Sequence, residues 1–367
     1  MKKSIYIFTR CYWTFENFRK NLVKKIDKKK YSITVCMDFD GIDLRIIKKK
    51  YTNINFINVS FLNKQRNKIA EVRIIYQILK IFLNKKIDII HNFTARPVVY
   101  VTITNFFFGK AKIVNSITGL GHNFFSKKNL FKIIYNIIFL ITSHVIFQNK
   151  KDQNIIFSFL KKKINSTIIF PNTKFIGINK KKIKKEKSNF FFCMYCRMIK
   201  EKGVFEYIEA ANKINKTYKN ITFCLIGNPD SSNPTSISYK YLNSLNFSKF
   251  IIYLPHQKNI LKFILTSKVV VLPSYGEGLP ASLLEALYLS KPIITTKVNG
   301  CSEIVKNNYN GFLVQSKSSV SLARAMKKFI TKPSNIELFG RNSYRLYNKK
   351  FNKSDTEQYL NIYKKYE

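Results

Sequence analysis

Acidic residues are scarce in this chain, and that scarcity limits its possible partners. The 367 residues include 20 aspartates and glutamates against 65 lysines and arginines, which gives a formal net charge of +45. Such a surplus attracts anionic phosphates, on nucleic acid or on a membrane surface. No zinc-finger, helix-turn-helix or aromatic RNA-binding signature accompanies the charge, so we expect no nucleic-acid partner. Peripheral association with anionic lipid stays open, as does a compositional bias, because lysine recurs in nearly every segment.

A disulfide framework and a long apolar run are also missing. The six cysteines are scattered, and Cys193 and Cys196 lie in a run that predicts a strand, where residues three apart point to opposite faces. The most apolar stretch, Ile133–Phe147, is short and interrupted by polar residues, so it cannot span a bilayer. The N-terminus lacks the apolar region and cleavage site of a signal peptide. We therefore expect a cytosolic chain.

The length and the alternation of patterns predict two α/β domains. A chain of 367 residues exceeds one ordinary core. Apolar strand-like runs such as Lys112–Ile117 alternate with helical spacing such as Leu130–Leu140. A lysine-rich stretch, 171–189, is typical of a linker. We place the first domain at 1–175, the second at 176–345 and a C-terminal helix at 346–367.

One stretch, Val269–Leu289, predicts a ligand site. A β-branched run reads as a buried strand, a loop follows, and a helix begins after Pro280. Ligands of open α/β sheets lie beyond the carboxyl ends of the strands, so the loop residues Glu277 and Gly278 would lie at the ligand. Glu277 and Glu285 can face one pocket, where carboxylates would accept hydrogen bonds from vicinal hydroxyls while the helix start favours a phosphate. That combination indicates a sugar nucleotide.

The letters EGLPASLLE resemble the Glu-x7-Glu motif of the family 4 retaining glycosyltransferases. The resemblance implies the GT-B fold, an α/β architecture in which two Rossmann-like domains face each other across a cleft. It implies that Glu277 contacts the transferred sugar as a catalytic residue and that Glu285 holds the ribose. Gly278 and Leu279 would offer backbone N–H groups to the diphosphate. In this fold the terminal helix returns to the first domain.

A second stretch, RMIKEKG, resembles the Arg-x4-Lys-Gly motif of the same family. It implies that Arg197, Lys202 and Gly203 bind the donor diphosphate. The chemistry agrees, because a departing nucleoside diphosphate gains negative charge and fixed cations stabilise it. We accordingly expect no metal and no cofactor besides the nucleotide-sugar donor.

Two stretches of the first domain resemble family patterns near the acceptor. DIIHNFTARPVVYVTI matches a pattern in which His91, Thr94 and Arg96 would line the cleft, with Arg96 in place of the usual lysine. TGLGH resembles the Thr-Gly-Leu-Gly subgroup, which assigns Gly119 and Gly121 to a tight turn in the cleft. His122 is displaced by two positions from the family's histidine, and we expect it to supply a hydrogen bond in the cleft as a candidate catalytic residue.

The resemblance is to enzymes that assemble capsule, O-antigen and other lipid-linked glycans, similar to undecaprenyl-diphospho-sugar α-N-acetylgalactosaminyltransferases. It implies transfer of a hexose or N-acetylhexosamine from a nucleotide diphosphate, UDP, to a lipid-linked acceptor in lipopolysaccharide or capsule synthesis. The enzyme would then lie in the cytoplasm against the inner face of the membrane. Two alternatives remain at this point. One is a metal-dependent GT-A transferase that uses Asp38 and Asp40, and the other is a non-catalytic basic protein that binds lipid or nucleic acid.

Overall fold

The computed structural model describes residues 2–62, 68–120, 128–160, 163–171, 190–231 and 233–366, with the backbone alone for 128–131. The chain divides into two compact units. Unit 1 comprises Met1–Pro171 together with Ser354–Glu367, and unit 2 comprises Asn172–Lys353. Among the described residues, no helix combines the length and the apolarity that crossing a bilayer requires.

Unit 1 contains a parallel sheet of seven strands in the order β3-β2-β1-β4-β5-β6-β7. The strands are β1 Lys3–Cys11, β2 Tyr31–Asp38, β3 Asn55–Asn58, β4 Ile89–Phe93, β5 Lys112–Ile117, β6 His144–Phe147 and β7 Ser166–Ile168. Their apolar, β-branched sequences suit a sheet that helices cover on both faces. The strand order reverses between β1 and β4, so the carboxyl ends of these two strands flank the point where such sheets bind ligands.

Helices connect the parallel strands of unit 1, because a parallel pair needs a crossover rather than a tight turn. They are α1 Tyr12–Phe18, α2 Lys20–Lys25, α3 Leu44–Lys50, α4 Lys68–Asn84, α5 Ala95–Phe108, α6 Lys128–Leu140, α7 Lys150–Phe157 and α15 Asp355–Lys364. The helix α15 packs on unit 1 through Tyr359, Ile362 and Tyr363, which are buried with Phe15 and Phe93 in one apolar cluster. The last segment of the chain therefore completes the core of unit 1.

Unit 2 repeats the architecture with six parallel strands in the order β10-β9-β8-β11-β12-β13. The strands are β8 Phe190–Tyr195, β9 Phe223–Ile226, β10 Ile251–Leu254, β11 Ser267–Leu272, β12 Ile293–Thr296 and β13 Gly311–Val314. The helices are α8 Val204–Thr217, α9 Tyr239–Ser244, α10 Ile260–Leu265, α11 Ala281–Tyr288, α12 Asn299–Ile304, α13 Ser319–Thr331 and α14 Ser334–Leu346. The order reverses between β8 and β11, which places the loops after these two strands at the binding edge. The predicted α/β architecture of two Rossmann-like domains is thus confirmed.

Several helices differ from their sequence patterns. The apolar spacing after β1 predicts one helix, yet the structure has α1 and α2 with a break at Arg19. The C-terminal helix expected at 346–367 is not one continuous α-helix, because a π-helix occupies Tyr347–Phe351 and α15 begins at Asp355 behind the cap of Ser354. Helix α5 carries no clear amphipathic signal because its β-branched residues are buried through most of its length.

Candidate functional site

The loop between β11 and α11 carries the first predicted site residue, Glu277. Its carboxylate lies 2.5 Å from the ammonium of Lys202, and the two side chains are 10% and 18% exposed. Lys202 ends a single 3-10 turn after β8, and β8 is the strand next to β11 in the sheet. The parallel pairing therefore brings two residues that are 75 positions apart into one ion pair. The lysine offsets the negative charge of Glu277 at the edge where a phosphate is expected.

Gly203 allows this contact because no side chain would fit there. Its φ is +78°, and a Cβ would lie 2.2 Å from the carbonyl oxygen of Pro273. The carbonyl of Glu201, two residues before Gly203, accepts hydrogen bonds from the backbone N–H of Tyr275 at 2.8 Å and from the hydroxyl of Ser274 at 3.0 Å. The Lys202–Gly203 turn and the Glu277 loop are therefore packed as one block of backbone.

The other side of the loop rests on β12 and α12. The backbone N–H of Gly300 donates to the carbonyl of Glu277 at 3.2 Å, and a Cβ on Gly300 would lie 2.2 Å from the carbonyl oxygen of Gly278. The buried hydroxyls of Thr295 and Thr296 donate to the carbonyls of Leu272 and Ser274 at 2.6 and 2.5 Å. These hydrogen bonds fix the backbone of the loop against β12 and α12, so the loop is preorganised for ligand binding.

Tyr275, Glu206 and the two threonines are site residues that the sequence patterns missed. The hydroxyl of Tyr275 donates to Glu206 on α8 at 2.6 Å, which fixes the middle of the loop. Hydroxyl side chains at the carboxyl end of a buried strand, as in Thr295 and Thr296, were an available signal because such groups need nearby partners.

Glu285 lies in the second turn of α11 and is buried. Beside it stands Tyr195, the last residue of β8. Burial raises the pKa of the Tyr195 hydroxyl, and the adjacent Glu285 raises it further. That hydroxyl also donates to the carbonyl of Ser282 at 2.5 Å. Glu285 therefore sits where β8 meets the start of α11, on the same strand–loop–helix unit as Glu277 and Leu279.

Arg197 occupies the exit of β8, and its guanidinium lies 2.5 Å from the carboxylate of Asp230. The side chain is 45% exposed, unlike the more buried Lys202. Gly227 lets the loop after β9 approach, because a Cβ there would lie 1.8 Å from the carbonyl oxygen of Cys196. The structure thus pairs Lys202 with Glu277 and Arg197 with Asp230, and a solvent-exposed pair such as the latter is weak enough to exchange for a ligand.

His91 requires a correction, because the sequence pattern assigns it to the acceptor cleft. Its side chain is 0% exposed, and its ring nitrogens lie 2.6 Å from the hydroxyl of Tyr363 and 2.8 Å from that of Ser116. Burial lowers the pKa of the imidazole well below its usual value, and the charge of Arg19 lowers it further. His91 lies inside β4 and faces α15, so it holds the terminal helix and has no ring nitrogen left for a ligand.

Arg96, which the sequence pattern also assigns to the acceptor cleft, is bonded to neighbouring groups of unit 1. Its guanidinium donates to the carbonyls of Phe61 and Leu62 at 2.6 and 3.1 Å and to the carboxylate of Glu71 at 2.9 Å. The planar fork of an arginine suits these three acceptors, which the single ammonium of the family's lysine could not satisfy in the same way. Arg96 therefore ties α5 to α4 and to the loop after β3.

Thr94 and Gly119 stand at the carboxyl ends of β4 and β5. Thr94 is partly exposed and has a φ of +74°, a backbone conformation that is rare for a β-branched residue. Strain of this kind concentrates at functional sites. Gly119 has a φ of +132°, which only glycine adopts readily. The predicted residues Gly121 and His122 lie outside the described residues.

Asp38 and Asp40, the residues of the GT-A alternative, form a turn. The carboxylate of Asp38 accepts from the backbone N–H groups of Asp40 at 2.9 Å and of Leu62 at 3.2 Å. In the part of the chain that the structure describes, no three histidine, cysteine or acidic side chains are grouped to hold a metal ion. The carboxylate of Asp38 thus bonds to the local backbone.

Comparisons with known proteins bear on both units. Residues 10–149 match the family model for "Glycosyl transferase 4-like" domains, and residues 176–346 match "Glycosyl transferases group 1". The chain is a glycosyltransferase, because the two models describe glycosyltransferase domains and together match most of its length. The two matched models and the two Rossmann-like sheets show that the non-catalytic and GT-A alternatives are wrong.

Two curated bacterial enzymes are among the relatives of this glycosyltransferase. The UDP-Gal:alpha-D-GlcNAc-diphosphoundecaprenol alpha-1,3-galactosyltransferase of Escherichia coli is 26% identical over 73% of this chain and 71% of its own length. The N,N'-diacetylbacillosaminyl-diphospho-undecaprenol alpha-1,3-N-acetylgalactosaminyltransferase of Campylobacter jejuni is 24% identical over 84% of each chain.

Solved structures share the fold. Anabaena HepE in complex with UDP and glucose superposes with a TM-score of 0.72 at 16% identity and covers 98% of this chain and 99% of its own. The sucrose-phosphate synthase of Thermosynechococcus elongatus gives a TM-score of 0.78 at 13% identity over 99% of both chains. Both likenesses concern the GT-B fold alone.

Proposed function

We propose that this glycosyltransferase moves a hexose or N-acetylhexosamine from a UDP-sugar to a lipid-linked glycan, with retention of anomeric configuration. The observation that carries the proposal is the Lys202–Glu277 ion pair at the carboxyl edge of the sheet of unit 2. It offers a cation for a diphosphate and a carboxylate for sugar hydroxyls within one contact. The name of the Escherichia coli relative includes a UDP-sugar, and the names of both relatives include a sugar linked to undecaprenyl diphosphate.

Donor binding follows from the charges of the site. A diphosphate would draw the ammonium of Lys202 partly away from Glu277 and would compete with Asp230 for the half-exposed Arg197. Backbone N–H groups of Gly278 and Leu279, in the loop just before α11, would point to the same anion. The carboxylate of Glu277 would then accept hydrogen bonds from the transferred sugar, while the buried Glu285 would accept them from the ribose.

The reaction would gain most from fixed cations. As the bond between the sugar and the diphosphate breaks, negative charge develops on the leaving phosphate, and Lys202 and Arg197 stabilise it. The phosphate oxygen that departs would take the proton of the acceptor hydroxyl on the same face of the sugar, which retains the anomeric configuration. No metal and no further cofactor enters this proposal.

The acceptor determines where such an enzyme works. A glycan carried on a polyprenyl diphosphate is anchored in a bilayer, so the transfer would occur at the cytoplasmic face of the membrane. The proposed product is an intermediate of a bacterial surface polysaccharide, such as O-antigen or capsule.

A transfer assay with matched acidic variants tests the proposal. The protein is incubated with a panel of radiolabelled UDP-sugars and polyprenyl-diphosphate-linked sugars, and the labelled lipid product is extracted and counted. We expect Glu277→Gln to reduce transfer at least about 100-fold, because the carboxylate acts on the reacting sugar. The control Glu337→Gln alters a carboxylate on α14 that is 80% exposed, and it should leave transfer unchanged. Normal transfer by Glu277→Gln, or binding of no nucleotide sugar by the wild-type protein, would refute the proposal.

A further inference from the structure

Three helices of unit 1 lie side by side on one face of its sheet. α4 contacts α5, and α5 contacts α6. Their inner sides pack on the strands through residues such as Ile74 and Ile78 of α4, Val101 of α5 and Ile138 of α6, all buried. We call the opposite, solvent-facing side of Lys68–Asn84, Ala95–Phe108 and Lys128–Leu140 the outer helical face.

Helix α4 presents an apolar stripe on this face. Ile69, Val72, Tyr76 and Leu83 are exposed, Leu83 to 73%, and their spacings of three, four and seven residues place them along one line of the helix. A surface helix ordinarily has polar side chains on its solvent side. α4 is therefore apolar on the side that buries it and on the side that faces solvent.

Helix α5 ends in three consecutive phenylalanines, Phe106, Phe107 and Phe108. Each ring is more than half exposed, and Phe107 reaches 69%. The rings of Phe106 and Phe107 contact each other edge to face, with centroids 5.0 Å apart. Three exposed aromatic rings at one helix end form an apolar tip in contact with water.

Helix α6 continues the pattern. Ile133, Ile137 and Leu140 follow one another at intervals of four and three residues and are all more than half exposed. Exposed apolar residues thus recur on all three neighbouring helices. Scattered single residues are normal on a protein surface, but a contiguous set of this size marks an interaction site.

Exposed cations accompany the apolar stripe of α4. Arg73 and Lys80 lie exposed on α4, and Lys85 and Lys86 follow its end. From Lys68 to Leu120 the sequence has eight lysines and arginines against two acidic residues.

Both acidic residues are engaged in bonds to neighbouring side chains. Glu71 accepts from Arg96 and from the hydroxyl of Tyr100, and Asp88 accepts from the hydroxyl of Ser4. The outer helical face therefore combines exposed aromatic and aliphatic groups with a strong positive charge.

We propose that the outer helical face docks unit 1 onto the surface of an anionic lipid bilayer. Proteins that bind at a membrane interface insert apolar side chains between the headgroups and the acyl chains. Lysines beside those side chains contact the anionic headgroups. A second copy of the chain fits this face less well, because two such positive surfaces would repel each other. The inference rests on the proposed function, since it supplies the surface by which an enzyme with a lipid-linked acceptor reaches its substrate.

The orientation is compatible with the ligand edge of unit 1. The helices of a parallel α/β sheet run along its faces, whereas Thr94 and Gly119 stand at the carboxyl edge of the strands. A bilayer against the outer helical face would leave that edge uncovered and close to the membrane surface. A lipid-linked glycan could then reach the edge without leaving the bilayer.

Co-sedimentation with vesicles tests the apolar part of the surface. The test compares vesicles of phosphatidylcholine with about 30 mol% phosphatidylglycerol and vesicles of pure phosphatidylcholine. That fraction of anionic lipid gives the vesicles a strong negative surface potential. We expect the wild-type protein to bind the anionic vesicles and the double variant Phe106→Ser with Phe107→Ser to bind at least about tenfold more weakly. The control Phe247→Ser changes a phenylalanine of unit 2 that is 87% exposed and should bind like the wild type.

A second pair of variants tests the charge. Lys85→Gln with Lys110→Gln should weaken binding by about fivefold per lysine at low salt, because a lysine near an anionic surface contributes that much. Lys213→Gln with Lys216→Gln removes the same charge from α8 of unit 2 and should change binding little. All of these positions are exposed, so thermal melting of each variant should match that of the wild type.

The outcomes separate this inference from the proposed function. Transfer to a short-chain, water-soluble acceptor should be equal in the phenylalanine variant and the wild type, since no site residue is altered. If the wild type transfers no sugar but binds vesicles, and the variant loses that binding, the proposed function is refuted and the docking surface is supported. Three results would overturn the docking surface. The wild type and the phenylalanine variant could bind vesicles equally, or the wild type could bind none. The wild type could also sediment as a dimer that the phenylalanine variant abolishes.

Discussion

Gly300→Ala should impair transfer through a steric effect on the Glu277 loop. The added Cβ would lie 2.2 Å from the carbonyl oxygen of Gly278 and 2.6 Å from that of Glu277, both backbone atoms that cannot rotate away. An ordinary contact needs roughly 3.5 Å, so the loop or α12 must move by about 1 Å. The φ of Gly300 is not in the left-handed region, so the effect of the substitution is the clash alone.

The magnitude follows from that displacement. Overpacking of this size costs about 1–3 kcal/mol of folding free energy, which lowers the melting temperature of a unit of this length by roughly 2–4 °C for each kcal/mol. A shift of about 1 Å in a loop that positions reacting groups reduces the rate by on the order of 100-fold. We therefore expect kcat/KM to fall about 100-fold while the protein stays folded at 25 °C.

The assay compares Gly300→Ala with Gly41→Ala. Gly41 has a φ of +82°, and no heavy atom of the described residues lies within 4 Å of the position that a Cβ would take there. Its alanine variant therefore loses stability through backbone strain and moves no loop. Initial transfer rates and melting curves are measured for both proteins. If Gly300→Ala transfers sugar within about threefold of the wild type, the loop tolerates the displacement and the argument from preorganisation fails.

Three other perturbations test separate parts of the structure. Lys202→Met should raise the KM for the donor and lower kcat, so that kcat/KM falls by about 100-fold, because it removes the cation and leaves the largely buried Glu277 unpaired. Initial rates over a series of donor concentrations check this, and Lys219→Met, which changes an exposed lysine, is the control. Tyr275→Phe should lower the free energy of unfolding by about 1–2 kcal/mol in urea titrations, because it removes the hydrogen bond to Glu206. The other carboxylate oxygen of Glu206 has no partner among the described residues, so the variant leaves this buried group without a replacement bond. Tyr76→Phe, at a surface position, should have no effect. Finally, burial lowers the pKa of His91 and lowers that of His144 to about 4, so the unfolded chain takes up protons first as the pH falls below about 6.5. Stability should therefore be full above that pH and should fall between about pH 6.5 and 4, and His91→Gln with His144→Gln should flatten the fall in urea titrations; an unchanged slope would contradict the assignment.

Strand positions follow closely from local sequence. The runs Lys112–Ile117 and Ile251–Leu254 are strands over those bounds, because a buried parallel strand needs a short, continuous apolar run between breakers. Helix α5 could not be recognised in the same way. Its residues Val98, Val101 and Thr102 favour a strand by propensity, and burial between the sheet and the neighbouring helices overrides that preference.

Local sequence identified residue types at the site but not their partners. The motifs around Lys202 and Glu277 mark a cation and a carboxylate beyond strand ends, yet their pairing depends on β8 and β11 being neighbours. His91 shows the opposite case. A histidine at the end of an apolar run resembles a ligand residue until α15, more than 260 positions away, places Tyr363 against it.

The amino-acid sequence by itself determined the alternation of strands and helices, the glycines that permit close backbone contacts and the surplus of positive charge, because these depend on local periodicity, sterics and composition. Tertiary structure alone decided that Lys202 meets Glu277, that His91 bonds to Tyr363 and Arg96 to the carbonyl of Phe61, and that the exposed residues of α4, α5 and α6 form one surface. The physical reason is that each of these facts joins residues distant along the chain, and only strand order and helix packing bring such residues together.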